Sequence, residues 1–415
     1  MFALASCALN TPAVDTTNTP SANSSTSATY PYKPSPQAAQ ALRECQAAGA
    51  APGGCFSPEQ VQTFYDLNPL YAKSYTGKGM TIVIIDSFGS PTIKQDLKTF
   101  DRTFGLPDPP SFDVDYPLGQ VHFDPTDSDQ ANWGIETTLD VEWAHSIAPG
   151  ANLVLLVSPV TETEGVQGFP EFEKLSIYAM DHHLGQVVTQ SFGATEPTLV
   201  GDACKDNQGT GEALLKDYDQ KVFQRGVTEH ITFLASTGDL GPTDYTCNGP
   251  PDTYNFQTIG WPASDPLVTA VGGTQLTFKD RAGNYGSESV WNDNGASGGG
   301  LSQFYAEPDW QKSLPDQATL NGKRGLPDVS WGAAANFTIY QTFTNQFPTW
   351  FAVAGTSASS PQWAGVVAIA DQMAGKPLGF LNPALYQLAG KGFHDITTGD
   401  NSDAGVQGFQ AGSGW

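Results

Sequence analysis

Short continuous apolar runs constrain the fold of this chain more than any other sequence feature. The clearest is Met80–Asp86, with the sequence MTIVIID, in which β-branched residues predominate and an acid comes last. Such runs are typical of strands buried on both faces, as in parallel sheets. Similar runs follow at Asn152–Val157, Gln186–Gln190, Ile231–Ala235 and Leu267–Val271, and helical patterns lie between them at Gly134–Ile147, Pro170–His182 and Gly211–Arg225.

This alternation of strand and helix patterns predicts an α/β fold, with a mostly parallel central β-sheet flanked by helices in a single large domain. Ligands bind such sheets beyond the carboxyl ends of the strands. Residues that follow the apolar runs are therefore the first candidates for a functional site. The sequence has no internal repeat and no second domain boundary after residue 57.

Composition excludes some classes of function. The 415 residues are 39% hydrophobic, which allows a sizeable core. No stretch approaches about 18 consecutive apolar residues, so we expect no transmembrane segment. With 19 Lys and Arg against 43 Asp and Glu, the net charge is -24, which argues against nucleic acid as a partner because its phosphates would be repelled. The excess of carboxylates suits a protein that stays soluble in acid, where part of this negative charge is neutralised. The alternative interpretation is an acidic surface with no functional meaning.

The amino-terminal part is expected to be an extension of the domain. Residues 8–40 are rich in Ser, Thr, Pro, Asn and Ala, a composition that predicts a linker. Residues 41–56 form a bridge bounded by cysteines, and Ser57 starts a helix with proline at its first position. We therefore predict a mostly disordered extension over 1–56 and one domain over 57–415.

The cysteines suggest export. Cys45 and Cys55 flank a Gly/Ala/Pro loop, and Cys204 and Cys247 lie in loop sequence, so two loop disulfides with Cys7 left over would suit a secreted protein. The first ten residues lack the basic start and the length of a signal peptide. The sequence LASC, ending at Cys7, resembles the end of a lipoprotein signal and suggests lipid anchoring there as a second hypothesis.

A predicted tight turn lies within Phe351–Gln362, FAVAGTSASSPQ. An apolar run meets Gly355, two hydroxyl residues follow, and an apolar helical pattern covers Trp363–Met373. Such a turn delivers the Ser357 hydroxyl to the start of a buried helix, where the helix N-terminus stabilises a developing oxyanion. The alternative is that Ser357 only caps the helix.

Three acids have a spacing or position that suits catalysis. Glu136 and Asp140 are four residues apart, so their carboxyl groups share one helix face, and two charges that close raise the proton affinity of one partner. A solvated acidic face is the alternative, although the helix is otherwise mostly apolar. Asp239 follows a predicted buried strand in FLASTGDLG and can point into a cleft, with an ordinary turn aspartate as the alternative.

Taken together, these residues carry a resemblance to a known family. From about Ser57 to its last residue, the chain resembles the sedolisin family of serine-carboxyl peptidases, a branch of the subtilisin-like fold. Sedolisins usually carry a large folded propeptide, and we expect no full propeptide in residues 1–56. The resemblance rests on ExxxD at 136–140, SFG at 191–193, STGD at 236–239, WPASDPLVTAVGGT at 261–274, SGGGLS at 297–302, RGLPDVSW at 324–331 and GTSAS at 355–359.

The resemblance implies a role for each of four residues. Ser357 is the nucleophile, Glu136 is the general base and acid, and Asp140 orients and tunes Glu136. Protonated Asp239 donates to the oxyanion beside the Ser357 N–H. A glutamate with a pKa of about 4.3 still accepts a proton in acid, where an imidazole with a pKa of about 6.5 is already charged. We expect a secreted endopeptidase that acts on polypeptides with an optimum at roughly pH 3 to 5.

The rival class is a histidine-dependent subtilase. Asp86 lies where such enzymes keep the acid of a Ser-His-Asp triad, but these enzymes need a histidine on the following helix, usually in an HGT context. The expected helix position carries Glu136, and Asp86 is accordingly interpreted as structural. None of the six histidines occurs in HGT: His122, His145, His182, His183, His230 and His394.

The resemblance also implies one calcium ion. Sedolisins hold it with an Asp-[Ile/Val] pair and a later GxGxD turn, which Asp395, Ile396, Gly412 and Gly414 match. The sequence ends at Trp415, where the final acid should come next. Since calcium favours about six to eight oxygen ligands, we expect a weakened site. A plain turn acid is the alternative for Asp395.

Other readings of the same motifs stay open. A non-catalytic peptide-binding member of the fold and a tripeptidyl peptidase of the same family would both keep them. A glycosidase built on Glu136 and Asp140 as paired acids would leave GTSAS and STGD unexplained. Cys204 and Cys247 flank Asp239 and match positions that are bridged in some relatives, so a disulfide there would pin the Asp239 loop. We expect a monomer.

Overall fold

The computed structural model describes residues 30–161, 168–200, 211–314, 320–388 and 390–411. Its strands are β1 (Thr81–Ser87), β2 (Phe112–Asp115), β3 (Asn152–Ser158), β4 (Val187–Gln190), β5 (Ala194–Thr195), β6 (Thr232–Ser236), β7 (Gly260–Trp261), β8 (Thr269–Phe278), β9 (Tyr285–Val290), β10 (Gly300–Ala306), β11 (Lys323–Leu326), β12 (Val329–Gly332), β13 (Phe337–Tyr340) and β14 (Trp350–Val353). Its helices are α1 (Ala38–Ala48), α2 (Pro58–Phe64), α3 (Asn68–Tyr71), α4 (Ile93–Phe104), α5 (Ser128–Ile147), α6 (Phe169–Asp181), α7 (Glu196–Val200), α8 (Gly211–Tyr218), α9 (Gln224–Glu229), α10 (Thr356–Ala374) and α11 (Asn382–Leu388).

A mostly parallel sheet forms the centre of the molecule, as predicted. Its strand order is β12-β8-β6-β4-β1-β3-β2, every neighbouring pair on this path is parallel, and β9 pairs antiparallel with β8. The five predicted apolar runs form β1, β3, β4, β6 and β8. The last of these begins at Thr269, later than expected, and continues to Phe278 because its second half pairs with β9.

Helices cover both faces of this sheet. Ile82 and Ile84 of β1 face a core that includes Trp143 of α5. Val83 and Ile85 face the opposite core, with the aromatic and aliphatic side chains of α6, α8 and the π-helical turn before α9. This alternation along one strand is the pattern expected for a strand buried on both sides.

Helices α5 and α10 pack against each other and run in the same direction. A Cβ on Gly365 of α10 would lie 2.7 Å from Ile147 Cβ of α5, so the glycine permits close contact. The first residue of α10, Thr356, donates its N–H to Asp239, which lies beyond the carboxyl end of β6. Near the other end of the helix, Gln372 Oε1 accepts the N–H groups of residues 76–78, just before β1. Helix α5 likewise ends just before the start of β3, at Asn152. Both helices therefore begin at the carboxyl edge of the sheet.

The predicted disorder of the extension does not hold for residues 30–56. Helix α1 buries Ala38, Ala41 and Cys45, and a backbone bond from Phe56 N–H to the Asn336 carbonyl (2.7 Å) ties the segment to β13. The Asn336 side chain donates to three backbone carbonyls of the loop 51–54. The Ser/Thr/Pro-rich composition ends before this segment, which is why a prediction from average composition missed its order.

The Cys45–Cys55 disulfide is present and closes the loop after α1. The predicted partner of Cys247, Cys204, lies outside the described residues, as does Cys7. Ser57 caps α2 as predicted, with its hydroxyl accepting from the Gln60 N–H. None of the described helices has the length and apolar character needed to cross a bilayer.

Candidate active site

The turn before Ser357 depends on a glycine. Strand β14 ends at Val353, and Gly355 (φ +135°) turns the chain into α10, which begins at Thr356. A Cβ on Gly355 would lie 2.8 Å from Asp239 Oδ2, so a larger residue would displace the carboxyl group. Gly355 occupies the capping position, which excludes the alternative that Ser357 caps the helix. The Ser357 hydroxyl is buried without a hydrogen-bond partner among the described residues.

Asp239 is joined to the residue next to Ser357. It follows β6 at the carboxyl edge of the sheet, and its Oδ1 accepts from the Thr356 N–H (2.8 Å) and the Thr356 hydroxyl (3.0 Å). Burial raises the pKa of Asp239, and the two Thr356 hydrogen bonds lower it in part. Since these bonds reach across 117 positions of the chain, Asp239 is not an ordinary turn aspartate. The sequence did not predict that Thr356 would donate hydrogen bonds to Asp239.

Glu136 and Asp140 are both buried on α5, with 4% and 0% of their surfaces exposed, so the solvated acidic face is wrong. The pKa of Asp140 lies well above its usual range. Burial is the largest cause, followed by the charges of Asp86 and Glu136, and the Ser191 hydroxyl opposes the shift. The two helix acids therefore interact electrostatically, as their spacing predicted.

Asp86 belongs to the same group of acids, and the interpretation of this residue as merely structural missed that. It is fully buried at the end of β1. Burial raises its pKa to about 7, with the Thr137 hydroxyl opposing the shift. The sequence signal was an acid that ends an apolar strand, but only the packing of α5 on β1 brings it to Asp140.

Ser357 and Glu136 both lie toward the carboxyl edge of the sheet, on two helices that run in the same direction. A Cβ on Gly365 would lie 2.7 Å from Ile147 Cβ and 3.2 Å from the Ala144 carbonyl oxygen, so α10 and α5 touch there. Ser357 precedes Gly365 by eight residues and Glu136 precedes Ala144 by eight. At about 1.5 Å per residue, both are displaced by about 12 Å toward the carboxyl edge of the sheet. The fold thus gathers the serine, the helix acids and Asp239 at one edge.

His145, the histidine that shares α5 with Glu136, has partners away from Ser357. On α5, His145 is fully buried, and its Nε2 lies 2.8 Å from the Pro107 carbonyl oxygen and 3.4 Å from Asp101. Burial lowers the pKa of His145 to about 4. No histidine in the described ranges is hydrogen-bonded to the Ser357 hydroxyl. A Ser-His-Asp arrangement is therefore not formed at this serine.

The predicted calcium ligands are only partly within the described residues. Asp395 is exposed, Ile396 is half-buried, and Gly412 and Gly414 lie outside the described part of the chain. No group of three or more His, Cys, Asp or Glu side chains in the described segments could hold a metal ion. The Asp395 carboxylate and the Ile396 carbonyl would give two of the about six to eight oxygen ligands that calcium favours, so the described residues fit part of such a site.

Comparisons with known proteins agree on one family. Over 382 residues the chain is 32% identical to kumamolisin from Bacillus sp. (strain MN-32), covering 90% of this chain and 62% of that protein. It is 31% identical to sedolisin from Pseudomonas sp. (strain 101), covering 89% and 59%. The chain thus spans about 60% of the length of these relatives. No family model matches it.

A solved structure shares the fold. The structure of Pseudomonas sedolisin, described as a serine-carboxyl proteinase complexed with two molecules of pseudo-iodotyrostatin, superposes with a TM-score of 0.68 at 28% identity. The match covers 87% of this chain and 93% of that one. The subtilisin-like fold expected from the sequence is therefore confirmed.

Proposed function

The chain belongs to the sedolisin family of serine-carboxyl peptidases, and we propose that it hydrolyses peptide bonds of polypeptides in acid through an acyl-enzyme on Ser357. One observation carries the proposal. The Asp239 carboxyl group is hydrogen-bonded to the backbone of Thr356, immediately before Ser357 at the start of α10. A carboxyl group in that position lies beside the Ser357 N–H, where an oxyanion would be bound.

In the proposed first step, Ser357 Oγ attacks the carbonyl carbon of the scissile bond while the Glu136 carboxylate accepts its proton. Asp140 stays protonated at the working pH because its pKa is raised, and it can donate a hydrogen bond that orients Glu136. Glu136 then gives the proton to the leaving amine. The amine departs, and an ester joins the remaining acyl group to Ser357.

Oxyanion stabilisation supports this step. The negative oxygen of the tetrahedral intermediate would lie between the Ser357 N–H, at the N-terminus of α10, and a protonated Asp239. Only the neutral acid has a proton to donate, so the raised pKa of Asp239 keeps the donor present in acid. In the second half of the reaction, water repeats the attack on the ester, with Glu136 as base and then as acid.

The test is hydrolysis of an unfolded protein at pH 4 by the wild type, Ser357→Ala and Glu136→Gln, with calcium added. We expect both variants to lose at least about a thousandfold in kcat/KM, since nucleophile and base act as a unit. Ser287→Ala, an exposed serine of β9, should keep full activity. Cleavage retained by Ser357→Ala would refute the assignment, and a wild type without turnover would favour the peptide-binding alternative.

The products decide between endopeptidase and tripeptidyl peptidase. We propose endopeptidase activity, so mass spectrometry of digests should show cleavage at internal bonds from the earliest times. Release of successive tripeptides from a free amino terminus, with blocked substrates left intact, would instead assign the chain to the tripeptidyl class. Side-chain preference would emerge from the same digests.

We also propose a calcium ion held by Asp395, the Ile396 carbonyl, Gly412 and Gly414. Calcium would supply structural charge balance at the carboxyl-terminal turn. The melting temperature should rise on addition of calcium in the wild type and not in Asp395→Asn, whereas an exposed control, Asp113→Asn, should respond as the wild type does. An equal response of Asp395→Asn would reject the site.

We also propose that the protein is secreted and monomeric. The Cys45–Cys55 disulfide favours an oxidising compartment. Fractionation of expressing cells should find the protein outside the cytoplasm, and light scattering should give the mass of one chain. If Cys7 is lipid-anchored, the wild type should partition into detergent and Cys7→Ser should not.

A further inference from the structure

A second carboxyl group lies beside the one assigned to the oxyanion. A Cβ placed on Gly238 (φ +100°) would lie 3.2 Å from Asp244 Oδ2, and no other atom in the described residues comes within 4 Å of that point apart from chain neighbours. Gly238 directly precedes Asp239. The space over this glycine is therefore open except for one oxygen of Asp244.

The Asp244 carboxyl group is held in place by its own loop. Its Oδ1 accepts from the Tyr245 N–H (2.8 Å), its backbone carbonyl accepts from the Tyr254 N–H (3.1 Å), and the neighbouring Thr243 hydroxyl donates to the Tyr254 carbonyl (2.8 Å). These bonds leave Oδ2 as the oxygen that faces Gly238. Asp244 as a whole residue is half-buried.

No cation in the described residues neutralises this carboxyl group. None of the ion pairs in the described ranges includes Asp244. Burial raises the pKa of Asp244 to about 6, and the charge of Asp239 adds to the rise. Such a group gains most from a ligand that brings its own positive charge.

The segment that contains Gly238 leaves the sheet beside a neighbouring segment. Strands β4 and β6 are parallel neighbours, with Gln190 opposite Ala235, so the segments that follow them, each containing a glycine (Gly193 and Gly238), leave the sheet side by side. Ligands of parallel sheets bind beyond the carboxyl ends of the strands, which is where this segment lies. If Asp239 holds the oxyanion, the residue that supplies this carbonyl has its side chain within a few ångströms of Gly238.

We propose that Asp244 lines the pocket for the residue on the amino side of the scissile bond and selects lysine or arginine there. The inference rests on the proposed function, because it places the substrate carbonyl at Asp239. A guanidinium or ammonium group donates to Asp244 Oδ2, and Gly238 provides the passage that a larger residue would close. Cation binding favours the ionised carboxyl group and releases its proton.

The experiment compares quenched fluorescent peptides that differ only in arginine or its neutral isostere citrulline before the cleaved bond, at pH 4, 5 and 6. We expect the wild type to favour arginine in kcat/KM by at least about tenfold at pH 6, the lower end for a charge-assisted hydrogen bond. The preference should grow with pH, since Asp244 ionises while Asp239 affects both peptides alike. In Asp244→Asn the ratio should fall to about one at every pH.

The matched control is Asp252→Asn, which removes the same charge from an exposed position of the same loop and should keep the wild-type ratio. A wild-type ratio near one, or an unchanged ratio in Asp244→Asn, would overturn the proposal. If the wild type cleaves neither peptide, the proposed function fails separately. In that case, calorimetry measures the affinities of peptides that end in arginine or citrulline. Equal affinities would overturn the role proposed for Asp244, and an arginine preference that is lost in Asp244→Asn would support that role.

Discussion

Asp265 should make the folded protein less stable as the pH rises. It is fully buried in the loop before β8, where Oδ1 accepts from the Leu267 N–H (2.9 Å) and Oδ2 from the Tyr305 hydroxyl (3.2 Å). Burial, followed by the charge of Asp219, raises its pKa from 3.8 to about 7. The folded protein therefore keeps a proton that the unfolded chain loses at lower pH.

The sign follows from linkage. Below pH 3.8 both states are protonated and the group has no net effect. Between pH 3.8 and about 7, only the unfolded chain is ionised, so the free energy of unfolding falls as the pH rises. Since each pKa unit corresponds to about 1.4 kcal/mol, the loss from Asp265 alone is about 4 kcal/mol by pH 8.

Asp265→Asn removes this titration while its oxygen can still accept from the Leu267 N–H. We expect the unfolding free energy of the variant, relative to wild type, to increase by about 4 kcal/mol between pH 4 and pH 8, measured by urea unfolding at each pH. Asp113→Asn, which neutralises an exposed carboxylate of β2, is the control and should show a much smaller change. A difference that stayed flat within about 1 kcal/mol would refute the reasoning.

Three further outcomes follow from the geometry of the site and the amino-terminal segment. Thr356→Val removes the hydroxyl bond that lowers the pKa of Asp239, so the alkaline limb of the kcat/KM profile should move to higher pH, while Thr356→Ser leaves it in place. Gly355→Ala forces a Cβ to 2.8 Å from the Asp239 carboxyl group and should lower kcat/KM at least about a hundredfold; retained activity would show that the turn adapts. Replacing Cys45 and Cys55 by serine should cost about 2–3 kcal/mol of unfolding free energy at pH 4, and an unchanged urea midpoint would contradict it.

Local pattern in the sequence determined the main sheet. The apolar runs at β1 and β3 needed no information from elsewhere, because a strand buried on both faces is apolar at every position. The spacing of Glu136 and Asp140 likewise fixed their common helix face, since a helix repeats about every 3.6 residues. Gly355, two residues before Ser357, likewise predicted a turn, because glycine permits backbone conformations that other residues rarely adopt.

Only the tertiary structure decided which distant groups meet. Asp86 joins Asp140 because α5 packs over the end of β1, and Asp239 bonds to Thr356 across more than a hundred residues. The order of residues 30–56 depends on partners such as Asn336, far along the chain. These contacts depend on strand order and helix packing, which local periodicity does not encode. Local sequence patterns therefore predict the helices and strands, whereas the tertiary structure decides which distant side chains meet at the site.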